Sequence, residues 1–287
     1  MAKESVNDRI NRARIETSIE ELEKLVLDKN QNVRGGVALN ENTPLSLLEK
    51  LSGDDERIVR ANIATNENTP FSILEKLISN VYDSTARLKA IKNPNTPASV
   101  LEKLASDEDY NVRKTVGENV NTPVHVLEKL AEDKDEAGGD PYGGARNSVA
   151  KNTNTPVHLL EKLAGDGHHA VRQEVAKNVN TPASVLEKLA GDEDNYVRQS
   201  VANNSNTPAS ALEILAGDKE EDVRYRVAWN TNTTASLLEK LAGDEDYSVR
   251  RKVAENPNTP ALALEKLAKD ADGTVSTAAA DNPNFKR

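Results

Sequence analysis

The sequence predicts an all-α solenoid, a stack of ten two-helix repeats of about 26 residues each. Three observations carry this. The tripeptide Asn-Thr-Pro returns at near-constant spacing along the chain. Between returns, apolar residues fall at helical intervals in two short runs. Aromatic residues make up only 3% of the 287 residues, so the core has to be built from Leu, Val and Ala, as in stacks of small helices.

The elements follow in chain order. Residues 1–17 stand outside the repeats, and Val6 and Ile10 lie at helical spacing there. A helix over Asn7–Ile15 is expected to cap the first copy. Take the residue after each Asn-Thr as position 1. It falls at Pro44, Pro70, Pro97, Pro123, Pro156, Pro182, Pro208, Thr234 and Pro260, with a degenerate first copy from Ser18. The third copy has 27 residues and the fifth 33, the excess lying in an insert near 133–144. The repeats fill 18–287 and leave no room for a further domain. Helices pack about 8–10 Å apart, so ten units would give a rod or superhelix on the order of 90 Å long.

One copy, "NTPASVLEKLAGDEDNYVRQSVANNSNTP" (Asn180–Pro208), shows the local logic. Thr181 is a good N-cap and Pro182 suits the first helical position. Val185, Leu186, Leu189 and Ala190 form one apolar stripe, and Gly191 is expected to close this first helix. "DEDNY" turns the chain. Val197, Val201 and Ala202 form the stripe of a second helix, which Asn204 is expected to end in the left-handed conformation. Each helix is too short to persist alone and must bury its stripe against neighbouring copies.

Two columns of residues look like chemistry. Position 11 is Asp in nine copies, and position 17 is Arg in nine. An enzyme needs one acid–base site, not nine, so a ladder of charge-assisted hydrogen bonds is the better reading. The final copy keeps Asp270 but has Ser276 in place of Arg. That is expected if each Arg pairs with the Asp of the following copy, so Arg198 should meet Asp218. Asn fills positions 23 and 25 in all ten copies. These columns are read as turn and cap residues bonding their local backbone.

The quoted copy resembles the variant leucine-rich repeat, with its "NPNTP…LL..LA.D…VR..VA.N" pattern, and the broader HEAT and armadillo class is similar. The resemblance covers nearly the whole chain. It implies a right-handed superhelix of paired short helices, one of them 3₁₀ in places, and a scaffold with no shared enzymatic activity. The cysteine-rich module of some members is not matched, because the chain has no Cys.

Composition narrows function further. Zero cysteines exclude disulfides, thiolate metal sites and Fe–S clusters, and with the acidic balance they fit a cytoplasmic protein. No signal-peptide core or membrane-length apolar run is present, so no membrane partner is expected. No Gly-rich phosphate loop or nucleophile elbow occurs. His125 and His158 replace a Ser at the same position of adjacent copies, with no acidic or thiol partner fixed beside them, and no metal site is expected. In the insert, a calcium loop of the EF-hand type would need an oxygen ligand at Ala137 and a Glu at Gly144, and both are absent. No cofactor is implied, and a monomer is expected.

The charge of −10 is unevenly placed. The loops between the two helices hold twenty-five acids against four bases. The outward positions 18, 19 and 22 of the second helix hold eight bases against four acids. Copies eight and nine stand out on that face. Tyr225 and Trp229, the only Trp, share one helix side, with Arg226, Arg251 and Lys252 expected beside them. Trp, Tyr and Arg are common binding anchors, so an exposed patch on the concave face is one reading. Packing of Trp229 over a neighbouring helix is the other. The chain is therefore read as a non-enzymatic scaffold binding a protein or peptide. Nucleic-acid binding by the basic face is the rival, and a purely structural or engineered scaffold is a third reading.

Overall fold

A computed structural model describes residues 4–134 and 143–285. Among these residues every element is an α-helix and no strand occurs. The chain forms two compact units, 1–139 and 140–287, with the boundary inside the insert. The first unit begins with α1 (Val6–Ile15). It continues with the pairs α2 (Ile19–Leu25) and α3 (Gln31–Leu39), α4 (Leu45–Ser52) and α5 (Arg57–Thr65), α6 (Phe71–Ser79) and α7 (Ser84–Lys92), and α8 (Ala98–Leu104) and α9 (Tyr110–Glu118), and closes with α10 (Val124–Leu130). The second unit opens with α11 (Gly144–Lys151). Its pairs are α12 (Val157–Leu163) and α13 (His169–Lys177), α14 (Ala183–Leu189) and α15 (Asn195–Asn203), α16 (Ala209–Leu215) and α17 (Glu221–Trp229), α18 (Ala235–Leu241) and α19 (Tyr247–Glu255), and α20 (Ala261–Leu267) and α21 (Gly273–Asp281). The architecture is that of an α-solenoid of two-helix repeats.

The stripes set this architecture. Val185, Leu186 and Leu189 of α14 and Val197, Val201 and Ala202 of α15 are all buried. Second helices of successive copies pack directly on one another, α13 on α15, α15 on α17 and α17 on α19. The 3₁₀ geometry implied by the resemblance is not found in any described helix. Bonds of i→i+3 type sit at helix ends, as from the Val185 N–H to the Pro182 carbonyl at 3.0 Å. A stripe at positions 4, 5, 8 and 9 needs 3.6 residues per turn, and three per turn would rotate Leu189 off it.

The repeated motif does more than end helices. Pro182, not Thr181, is the N-cap of α14, with extended φ and ψ of −70° and 155°. Thr181 instead turns back, and its hydroxyl donates to the Val175 carbonyl at 2.6 Å. Asn204 has φ −73° and ψ 128°, extended rather than left-handed. Its Oδ1 accepts the Asn206 N–H at 2.8 Å, the local bond expected of Asn in a turn. Its Nδ2, however, donates to the carbonyls of Ala176 and Asn178 in the preceding copy, at 2.8 and 3.1 Å. The same pattern recurs at Asn66, Asn93, Asn178, Asn230, Asn256 and Asn282. The column is buried, and each of these Asn residues bonds its copy to the one before it. Gly191 likewise has no positive φ. Its N–H bonds the Lys188 carbonyl at 3.3 Å, and the C-cap of α14 is Ala190, in the right-handed helical region at φ −61° and ψ −22°.

The charged ladder runs in the direction the missing final Arg implies. Arg198 Nε and Nη2 donate to Asp218 of the following copy at 2.6 and 3.0 Å, while Nη1 donates to the Asp192 carbonyl of its own loop at 2.8 Å. Arg34–Asp54 and Arg87–Asp107 repeat the rung in the first unit, and Arg146–Asp166, Arg172–Asp192, Arg224–Asp244 and Arg250–Asp270 in the second. Two rungs are not evident from the column pattern. Where the third copy has Asn80 at position 11, Arg60 reaches the buried Asp83 at 2.7 Å instead. Before the first copy, Arg9 of α1 pairs with Asp28 at 2.7 Å.

Helix α1 packs on α3 through the buried Ala13, with Ile10 half-buried and Val6 left exposed. The approach is close: a Cβ on Gly36 would lie 2.9 Å from that of Ala13 and 3.1 Å from the Ile10 carbonyl. At the other break in the pattern, Gly143 stands at φ 88° before α11, a conformation that favours glycine.

Candidate interaction surface

In α17 and α19, positions 16, 20 and 21 are buried (Val223, Val227 and Ala228; Val249, Val253 and Ala254), which turns positions 18, 19 and 22 away from that stripe. In α17 this leaves Trp229 55% exposed, so it is not buried between helices. Tyr225, one turn earlier on the same side, is half-buried. Arg226 is exposed, and its guanidinium carbon lies 5.7 Å from the Tyr225 ring centre. From the neighbouring α19, Lys252 reaches across. Its amine sits 4.2 Å over the Trp229 ring and 5.5 Å from that of Tyr225, in cation–π range of both.

The fifth residue expected here, Arg251, points to Glu255, with Nε 2.8 Å from that carboxylate, and Lys252 Nζ approaches the same group at 2.5 Å. Burial raises the Glu255 carboxyl. Hydrogen bonds and charge from Lys252 and Arg251 outweigh this and hold it below the ordinary glutamate value. Tyr225, Trp229 and Lys252 therefore form one cluster, with Arg226 at its edge, while Arg251 is drawn to Glu255. Glu255, which organises the two bases, is not among the residues expected at this patch. It lies four residues from Arg251 and three from Lys252, which is the one local signal that points to it.

Two grooves flank the cluster on the same face. One, of about 270 Å³, lies among α13, α15 and α17 and includes Lys177, Tyr196, Gln199, Asn203 and Arg226. The other, of about 540 Å³, lies between α19 and α21 and includes Arg251, Glu255, Thr277 and Asp281.

The histidines differ from expectation in one respect. His125 Nε2 lies 3.2 Å from Glu102 of the preceding copy, an acidic partner that stacking of the repeats supplies. The His168 and His169 rings stack at 4.9 Å, and His168 Nδ1 accepts the Ala170 N–H as the cap of α13. Among the described residues no group of three or more His, Cys, Asp or Glu is placed to hold a metal ion. Nor is any helix there long and apolar enough to cross a membrane. The insert position Ala137, tested for a calcium loop, lies outside the described residues. Gly144 is the first residue of α11.

Residues 247–272 match the family model "Leucine rich repeat variant". A solved leucine-rich repeat variant with a repetitive structural motif is 26% identical, over 80% of this chain and 87% of its own, with a TM-score of 0.57. An engineered protein of solved structure is 16% identical over 98% of this chain and 95% of its own, with a TM-score of 0.34. Human deoxyhypusine hydroxylase in complex with glycerol is 15% identical over 91% and 93%, with a TM-score of 0.32. No curated protein matches the chain.

Proposed function

We propose that this chain of leucine-rich repeat variant units is a non-enzymatic scaffold, which binds a protein or peptide through the outward face of the second helices in its second unit. One observation carries the proposal: the only Trp of the chain is more than half exposed, beside a Tyr and a Lys held in cation–π contact. Leaving a large ring in water is unfavourable unless a partner covers it, and Trp, Tyr and Arg are the residues that most often dominate binding energy. The ladder and the Asn column give the patch its rigid base. Side chains on packed helices lose little freedom on binding, which favours affinity.

The test uses Trp229 as its own reporter. A partner captured by the intact chain should change Trp229 fluorescence on titration, and Trp229→Ala should lose capture while keeping the same melting temperature. Equal capture by the two proteins would remove the patch from the binding surface and leave only the repeat scaffold.

A further inference from the structure

We infer that the ligand of this face is an extended acidic peptide, whose carboxylate enters the groove among α13, α15 and α17 while a neighbouring apolar or aromatic side chain covers Trp229. The inference rests on the reading of Trp229 as a binding surface.

The groove holds two cations, three amides and a phenol: Lys177, Arg226, Gln173, Gln199, Asn203 and Tyr196. Lys177 is partly engaged, with Glu174 at 2.8 Å. For Arg226 the described contact is the Tyr225 ring; it lines the groove, and no carboxylate of the described residues forms an ion pair with its planar fork of N–H donors. Such a fork takes a carboxylate in two parallel hydrogen bonds. Primary amides both donate and accept, so Gln173, Gln199 and Asn203 suit the alternating N–H and C=O groups of an extended main chain.

The aromatic cluster selects in the same sense. The cation position over Trp229 and Tyr225 is already taken by Lys252, which Glu255 holds in place. A basic ligand would have to displace Lys252 and would meet the charges of Arg226 and Arg251, so the face disfavours it. An acidic ligand displaces no cation from the rings, and the neighbouring carboxylates Glu174 and Glu255 are already paired with Lys177 and with Arg251 and Lys252.

Spacing refines the motif. Arg226 and Trp229 are three residues apart on one helix, so their Cβ atoms lie about 5–6 Å apart. Side chains on one side of an extended chain recur every two residues, about 7 Å. The ligand signature is therefore Asp or Glu two residues from an aromatic or large apolar residue.

Selection of a random dodecapeptide display library tests this on three full-length proteins: the intact chain, Lys177→Ala/Arg226→Ala, and Trp229→Ala. The intact chain should recover peptides enriched in that signature. A recovered peptide, synthesised, should bind at least tenfold more weakly to the Lys177→Ala/Arg226→Ala protein, and equally so when its acid is replaced by Gln. Added salt should weaken binding. All three proteins should melt alike, because the changed side chains are exposed. Peptides without acidic bias, or affinity unchanged by Lys177→Ala/Arg226→Ala, would overturn the acidic subsite while leaving Trp229 as a binding residue. Recovery unaffected by Trp229→Ala would instead overturn the reading of the patch on which the inference rests. No recovery at all, or displacement of the peptide by a twelve-nucleotide oligothymidylate at equal concentration, would overturn both.

Discussion

At positions 18 and 19 of the first two repeats stand Gly35, Gly36, Ala61 and Asn62, whereas α17 and α19 of the second unit place Tyr225, Arg226, Arg251 and Lys252 there. The first set is used for packing. Gly35, Gly36 and Ala61 are buried, Gly36 lies against α1, and Asn62 donates to the Gly35 carbonyl at 3.1 Å. The second set faces water or covers an exposed ring. Rungs and Asn bonds are alike in the two units. The repeat interior thus admits little change, while the same outward positions serve either close helix packing or a surface patch, according to side-chain size.

The largest effect should separate buried rungs from peripheral ones. Side-chain exposure at Arg198–Asp218 is 9% and 8%, against 24% and 15% at Arg9–Asp28. Arg198→Ala leaves Asp218 buried without its partner and should cost about 3–5 kcal/mol. Arg9→Ala should cost about 0–1 kcal/mol. Urea midpoints measure both, and equal midpoints would show that burial does not govern the ladder.

Acid should weaken the second unit through the same rungs. Burial raises the Asp218 carboxyl. Hydrogen bonds from Arg198 and the Glu220 N–H, with the Arg198 charge, outweigh it and hold the folded value below the ordinary 3.8. Asp192 is lowered in the same way by Arg172. A depressed carboxyl stabilises the fold fully above its unfolded value and ceases to as pH falls through the lower folded value. Stability should therefore be level near neutrality and drop below about pH 4. Asp218→Asn should flatten part of that drop, and an unchanged slope would mean that other carboxylates set it.

A smaller effect sharpens the contrast at position 19. Gly36→Ala forces a methyl group into the α1–α3 contact and should cost about 1–3 kcal/mol, with faster amide exchange in α1. Arg226→Ala, at the same position in the second unit, should stay within about 0.5 kcal/mol. Equal costs would dissolve the distinction between packing and surface use of this position.

A small change in stability also belongs to Trp229→Ala, which removes an exposed ring and a cation–π contact worth at most about 0.5–1 kcal/mol. Thermal melting should barely register it. A drop of several degrees would make Trp229 a packing residue.

The sequence by itself determined the helices, their pairing and the direction of the ladder, because stripes, Asn-Thr-Pro and the Arg missing at Ser276 are signals readable within one or two copies. Only the tertiary structure decided where Asn204 donates, that Arg60 turns to Asp83, that Glu102 faces His125, and that Lys252 occupies the ring of Trp229. Local pattern fixes bonds spanning about four residues, since backbone geometry alone sets their reach. Asn204 Nδ2 bonds carbonyls 26 and 28 residues away, and Lys252 lies on a different helix from Trp229. Which groups meet over such separations depends on how one copy stacks on the next, and side-chain length then decides which of them come within reach.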